Sequence, residues 1–150
     1  VADYLIFMAY DQYGASSTKP GTTAGYNWIE TNLKKIIEYD EVKADKIILA
    51  LPFYTRQWKI NSNGEVTSKS VVSMLNIKIP NGVEKQWNED LQQYYIEYAD
   101  GKCCNFANSR KDLLDWLKLL KDEKIVDIRK IYKSGVTDSV IDSYRSYLKQ

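Results

Sequence analysis

The sequence predicts an α/β fold, parallel strand–helix units interrupted by a small α+β excursion, and three observations carry that prediction. Two near-continuous apolar runs, residues 4–10 and Ile47 to Leu51, have the pattern of strands buried on both faces in a parallel sheet. Between them, Ile29, Leu33, Ile36 and Ile37 recur at helical spacing. After Trp58 the texture changes to short alternating runs punctuated by Asn-Gly and Asp-Gly pairs.

Taken in chain order, "DYLIFMAYDQYG" supplies the first strand, and the Gly-, Ser-, Thr- and Pro-rich stretch "GASSTKPGTTAGYN" follows as a loop. Asn27 is placed to cap a helix that runs to about Tyr39. "KIILALPFY" is the second strand, which makes a βαβ unit with a right-handed crossover. "NSNGE" is a turn with Asn63-Gly64 as its tight pair, and "SKSVVSMLNI" reads as a short helix. "EKQWNED", "QQYYIEYA" and "KCCNFA" read as three short strands, joined by "NEDLQ" and by Asp100-Gly101. In the middle one, Tyr94, Ile96 and Tyr98 face one way and Tyr95 and Glu97 the other. The βα pattern then resumes. Ser109 to Asp112 approximates a capping box ahead of a stripe of Leu113, Trp116, Leu117 and Leu120. "KIVDIRKIY" is a weaker third strand, and Thr137 caps a last helix carrying Val140, Ile141, Tyr144 and Leu148. Residues 1–57 and 107–150 thus form the strand–helix part, and residues 58–106 form an inserted α+β lobe.

Composition narrows the chemistry. The chain has 150 residues, enough for one domain with a real core. Lys plus Arg number 21 and Asp plus Glu 20, with no basic block, so nucleic acid is not an expected partner. No apolar run approaches the roughly 20 residues that span a bilayer, so no membrane is expected either. The sequence opens inside a strand-like pattern without Met, the look of a piece of a longer protein. The absence of histidine removes the commonest general base, the Ser-His and Cys-His pairings and most zinc sites. The two cysteines, Cys103 and Cys104, are adjacent, which suits neither a disulfide with each other nor a metal site, and they read as small strand residues. No cofactor and no metal are expected. Any chemistry falls to carboxylates, Tyr, Lys and Arg. The 12 tyrosines and 4 tryptophans supply flat amphipathic surface, suited to sugar stacking or to an aromatic core.

Parallel strands place ligands at their C-terminal ends. Tyr10 and Asp11 sit there on the first strand, and Tyr54, Arg56 and Trp58 follow the second. Asp accepts from a sugar hydroxyl, Tyr donates to a carbonyl, Arg forks onto polar oxygens and Trp stacks on a pyranose face. The same residues also suit a purely structural Tyr-Asp-Arg network, and spacing alone leaves both readings open.

These residues carry a resemblance. "DYLIFMAYDQYG" resembles the sixth barrel strand of family 18 glycoside hydrolases, the chitinase family, with its Met-x-Tyr-Asp signature. "KPGTTAGYNWIETNLKKII" is similar to the loop and helix that follow, and "KIILALPFYTRQWK" to the seventh strand with its Pro-Phe-Tyr-x-Arg-x-Trp ending. "KQWNEDLQQYYIEYADGK" resembles the hairpin of the insertion that many members carry. The resemblance covers roughly residues 1–101, and its flavour is that of bacterial cell-wall and spore-associated members. Beyond it, Phe106 stands where members usually have Trp. Tyr132 is the nearest candidate for the aromatic that ends the eighth strand, and Asp127, Arg129 and Lys130 replace the small residues expected before it.

The resemblance implies the C-terminal portion of a TIM-type (β/α)8 barrel, about three βα units, with a small α+β insertion. A whole barrel takes about 250 residues. It also implies a glycosidase acting on β-1,4-linked N-acetylglucosamine polymers, chitin or peptidoglycan, by substrate-assisted hydrolysis. The family's general acid is the Glu of an Asp-x-x-Asp-x-Asp-x-Glu motif on the fourth strand, and no such pattern occurs in these 150 residues. No catalytic residue is therefore expected in this chain. What it would supply is the substrate-binding half. Tyr10 would hold the acetamido oxygen and Asp11 the sugar hydroxyls; Tyr54, Arg56 and Trp58 would line the cleft, with Tyr132 as sugar floor. The implied partners are an N-acetylglucosamine-containing glycan and the N-terminal part of the same barrel, and the implied location is extracellular or in the cell envelope. The alternatives from the sequence are a non-catalytic carbohydrate-binding relic of the same fold and a purely structural domain.

Overall fold

A computed structural model describes residues 2–40, 42–73, 78–98, 103–107, 115–116, 119–120 and 131–134. Two sheets organise them. The first is parallel, in the order β1 (Leu5–Met8), β2 (Ile47–Pro52) and β8 (Ile131–Ser134), with β2 in the centre. The second is antiparallel and five-stranded: β4 (Val66–Ser73), β3 (Tyr54–Ile60), β7 (Cys103–Ala107), β6 (Gln93–Glu97) and β5 (Lys85–Asn88), in that spatial order. Helix α1 (Tyr26–Asp40) crosses from β1 to β2, which enters through a 3-10 turn over Ala44–Lys46.

The helix forms where the sequence spacing places it. Its apolar stripe buries Ile29 and Leu33 completely against Ala9, Ile47, Leu49, Leu51 and Phe53, and Trp116 and Leu120 join the same core. Fully burying an aliphatic side chain of this size stabilises by about 1.5–3 kcal/mol, so this layer fixes the strand–helix unit. On the outer side Glu30 and Lys34 pair one turn apart at 2.8 Å. The start of the helix differs from expectation. Asn27 lies inside the first turn, where its Oδ1 accepts from Trp28 N–H at 2.7 Å. The helix begins at Tyr26 because a distant carbonyl, that of Leu91, accepts the Tyr26 N–H at 3.1 Å. Gly25 provides the carbonyl for the first helical hydrogen bond, from Ile29.

Two further expectations are corrected, and a third is met in part. The run at the first strand does not bury both faces: Leu5 and Phe7 are half-buried toward the helix, while Ile6 and Met8 are 58% and 61% exposed. The stretch read as a short helix is strand β4 over Val66–Ser73, because Val66, Thr67, Val71 and Val72 are β-branched and β3 offers a full ladder to pair with. Residues 74–77 of that stretch lie outside the described residues. The third parallel strand sits at the far end of "KIVDIRKIY", at Ile131–Ser134; residues 124–130 lie outside the described residues.

The β3–β4 turn is the Asn-Gly turn the sequence signals. Gly64 has φ of +80°, which favours glycine, and Asn61 Oδ1 accepts from the backbone of Asn63 and Glu65. The three short strands are present as β5, β6 and β7, and Cys103 and Cys104 lie in β7. Asp100-Gly101, Ser109 to Leu113, Leu117 and the Thr137 helix lie outside the described residues. Among the described residues no helix is long and apolar enough to cross a membrane.

Candidate functional site

The two sheets meet at the C-terminal end of β1 and the start of β3. Strand β2 ends at Pro52, Phe53 breaks the direction, and Tyr54, Arg56 and Trp58 follow at alternate positions along β3. They therefore share one face of the antiparallel sheet rather than prolonging β2. Asp11 leaves β1 in a left-handed conformation, φ +58°, which Asp tolerates better than most residues. That turn aims its carboxylate at β3. Asp11 Oδ1 accepts from Tyr54 O–H at 3.0 Å and from Arg56 N–H at 2.9 Å. The Tyr10 ring stands edge-on to Tyr54, with centroids 6.3 Å apart.

Charge and burial give this cluster its character. The Arg56 guanidinium is nearly buried and the Asp11 carboxylate is close to half-exposed, so the ion pair runs from the interior to an open rim. Burial, and then the hydrogen bond to the Asp11 carboxylate, push the Tyr54 hydroxyl well above the usual phenol range. Tyr54 therefore stays protonated and acts as a donor at any physiological pH. The cluster presents an oriented carboxylate, a fixed phenol and a second tyrosine edge. It can accept from hydroxyls and donate to a carbonyl or ether oxygen.

Trp58 does something else. It is fully buried, its indole N–H donates to the Gly21 carbonyl at 3.1 Å, and Lys69 Nζ lies 6.0 Å from its ring centre. Its ring offers no face to a sugar, and it serves as a post under the loop that follows β1. Lys69 ties that loop down from β4, donating to the carbonyls of Ala15 and Ser17, each at 2.6 Å. Tyr132 lies in β8, in register with Ala50. Five of the six residues singled out from the sequence thus fall on β1, its following turn or β3. Tyr10, Asp11, Tyr54 and Arg56 come together, and Trp58 supports them.

Sequence reasoning missed the residues that hold the two sheets in place. Thr22 Oγ1 donates to Gln93 Oε1, and Gln93 Nε2 donates to the Ala24 carbonyl at 2.9 Å. Gly25 N–H donates to Gln12 Oε1 at 2.8 Å, and Trp116 N–H to the Gln92 carbonyl at 3.0 Å. The two Gln93 bonds fasten the β5–β6 hairpin to the loop that follows Asp11, the Gly25–Gln12 bond closes that loop on itself, and the Trp116 bond holds the hairpin from the other side of the core. No periodicity marks them, because Thr22 and Gln93 are 71 residues apart. Among the described residues no cluster of acidic or thiol side chains is arranged to hold a metal ion.

The sequence matches no protein-family model and no curated protein. Its structure is similar to solved ones. One is ydhD from Bacillus subtilis, assigned as a sporulation-specific glycosylase, at 22% identity and TM-score 0.65, over 83% of this chain and 42% of that one. A second is a family 18 chitinase from Cycas revoluta in complex with (GlcNAc)3, at 16% identity and TM-score 0.73, over 99% and 47%. A third is a chitinase-like agglutinin from Robinia pseudoacacia, at 16% identity and TM-score 0.70, over 97% and 46%. The chain spans less than half the length of each of these three structures. At these identities the likeness establishes the fold.

Proposed function

We propose that this chain is the C-terminal segment of a family 18-like glycoside hydrolase barrel, with residues 58–106 in its inserted lobe, that binds β-1,4-linked N-acetylglucosamine polymers such as chitin or peptidoglycan. The observation that carries the reading is the convergence of Tyr10, Asp11, Tyr54 and Arg56 at the rim where β1 ends. Their donors and acceptors match the hydroxyls and acetamido groups of such a polymer. In the complete site Tyr10 would donate to the acetamido oxygen and Asp11 would accept from ring hydroxyls, while Arg56 holds Asp11 in place. The general acid comes from the N-terminal part of the barrel, so the chain alone binds without cleaving. Polymers of this kind lie outside the cell membrane, which makes the extracellular space or cell envelope the place of action.

The test compares Asp11→Asn, Tyr10→Phe and the parent chain for chitotriose affinity and melting temperature. Asn is preferred to Ala because it keeps the side-chain shape and an acceptor oxygen beside Tyr54 and Arg56 while removing the charge. A hydrogen bond to a charged group is worth about 1.5–3 kcal/mol and a neutral one about 0.5–1.5 kcal/mol. Asp11→Asn should therefore weaken binding roughly 10- to 150-fold, and Tyr10→Phe roughly 2- to 10-fold. Unchanged affinity in both, with earlier melting, would make the cluster scaffold. Incubating the pure chain with chitooligosaccharides should release no reducing ends; sustained release would sink the division of labour.

A second reading is a carbohydrate-binding protein without hydrolytic activity. The likeness to a chitinase-like agglutinin favours it, and so do Asp127, Arg129 and Lys130 in place of the small residues expected before Tyr132. Reading the gene upstream of Val1 separates the two.

A further inference from the structure

The antiparallel sheet carries a cavity of about 600 Å³ away from the Asp11 cluster. Small-molecule sites usually measure about 300–1,000 Å³. It opens between the end of β3 and the β5–β6 hairpin, and Lys19, Pro20, Ile60, Gln86, Asn88 and Tyr95 line it. Tyr54, Arg56, Trp58 and Ile60 alternate along one face of β3, so the cavity and the cluster share that face. Ile60 lies six steps and about 20 Å along β3 from Tyr54, while Tyr95 and Gln86 lie across the sheet from Arg56, beyond β7, about 10 Å or more away at the spacing of neighbouring strands. Trp58 lies between them, hydrogen-bonded to Gly21 and thus covered by the loop that Lys69 straps down. That loop separates the two places.

We propose that this cavity is a second saccharide site, taking an uncharged, hydroxyl-rich pyranose unit independently of the Asp11 cluster. Its walls pair apolar surface from Pro20, Ile60 and the Tyr95 ring with the neutral amides of Gln86 and Asn88. A pyranose presents that same combination, a C–H face ringed by hydroxyls. Two of the polar groups are pre-oriented: Tyr95 O–H donates to Glu97 at 3.2 Å, and Asn88 Oδ1 accepts from Leu91 N–H at 2.9 Å. Among the described lining residues Lys19 is the sole charge, too little positive potential for a nucleotide or polyanion and the wrong sign for a cation. The cavity's chemistry stands by itself; the function proposed above enters only in the choice of probe.

The experiment is a backbone-amide NMR titration of the 150-residue chain with chitotriose. Two sets of resonances should move with separate Kd values, one around Gln86, Asn88 and Tyr95 and one around Tyr10, Asp11 and Tyr54. Gln86→Ala with Tyr95→Ala should weaken the first about tenfold, the loss of a hydrogen bond and a ring contact, and leave the second unchanged. Gln86→Ala alone, at an exposed position, keeps the test open should the double variant fold poorly, and should weaken the first set about threefold. Cavity resonances that stay still at millimolar chitotriose, or that shift equally in the parent and Gln86→Ala chains, overturn the proposal. Still resonances around Asp11, with the cavity set moving, overturn the proposed function and leave the cavity standing.

Discussion

Strands β1 and β2 carry the same kind of sequence and meet different surroundings. Both are continuous apolar runs, "LIFM" and "IILALP". In β2 every residue but Ile48 is buried, because β1 and β8 flank it and the helical layer covers its outer face. In β1 burial alternates: Leu5 and Phe7 turn toward the helix, and Ile6 and Met8 are open. A continuous apolar run therefore says that both faces suit a dry environment. It does not say that this chain covers both.

The sharpest way to break that contrast is to cut into the covered face. Leu33 is fully buried in the layer between α1 and β2. Leu33→Ala should destabilise the chain by about 2–5 kcal/mol through lost burial and a residual cavity. Urea unfolding measures it as a lower midpoint at unchanged slope. A cost under 1 kcal/mol would mean that the helical layer is not what holds β2.

Next in size is the joint between the sheets. A Cβ on Gly21 would run into the Tyr13 ring, and the Gly21 carbonyl receives the Trp58 N–H. Gly21→Ala should push the loop off its post and cost about 1–3 kcal/mol, as overpacking does. If the loop carries Asp11 in register with β3, chitotriose affinity should fall with stability. A loss of stability alone would show the post and the rim to be uncoupled.

How legible was all this? The helix and β2 were legible because burial on a helical stripe and in a central strand leaves a periodic trace, as Ile29, Leu33 and Leu49 do. The Asn63-Gly64 turn was legible because φ near +80° selects Gly. The rim residues were legible as types at the ends of apolar runs. Strand β4 was not, since "SKSVVS" carries no alternation and its state is set by pairing with β3. Nor was the role of Trp58, which depends on a carbonyl 37 residues earlier. The Lys69 and Gln93 ties were invisible for the same reason: tertiary partners chose them, and local pattern did not.

A smaller effect sharpens the contrast at the rim. The Tyr54 hydroxyl is held above its ordinary value of about 10 by burial first and the Asp11 bond second. A folded-state value above the unfolded one stabilises the chain fully below about pH 10, and that contribution fades as pH climbs through the folded value. Stability of the parent should thus fall more steeply above pH 10 than that of Tyr54→Phe, which lacks the group. Since the ring is only half-buried, the difference should be modest. Parallel curves for the two chains would show that burial and Asp11 do not discriminate phenol from phenolate here.

The smallest effect is the most informative. Met8 and Ile6 are open in this chain, so Met8→Ser removes apolar surface that water already touches. Surface substitutions away from special features usually stay within about 0.5 kcal/mol, and the isolated chain should unfold at nearly the same urea concentration. The same change in a longer protein tests what lies over that face. Where further strands close over β1, Met8 becomes a barrel-interior residue. Replacing it with Ser then forfeits about 1.5–3 kcal/mol of burial, and the hydroxyl adds a cost unless it finds a partner. Urea curves on the chain and on its longest natural form, each with and without Met8→Ser, separate the cases. A near-zero effect in the short form and a large one in the long form would show that the bare face of β1 is a surface made to be covered. Equal small effects would show instead that β1 is an edge strand whose open face stays wet, and the barrel reading would lose its support from this strand.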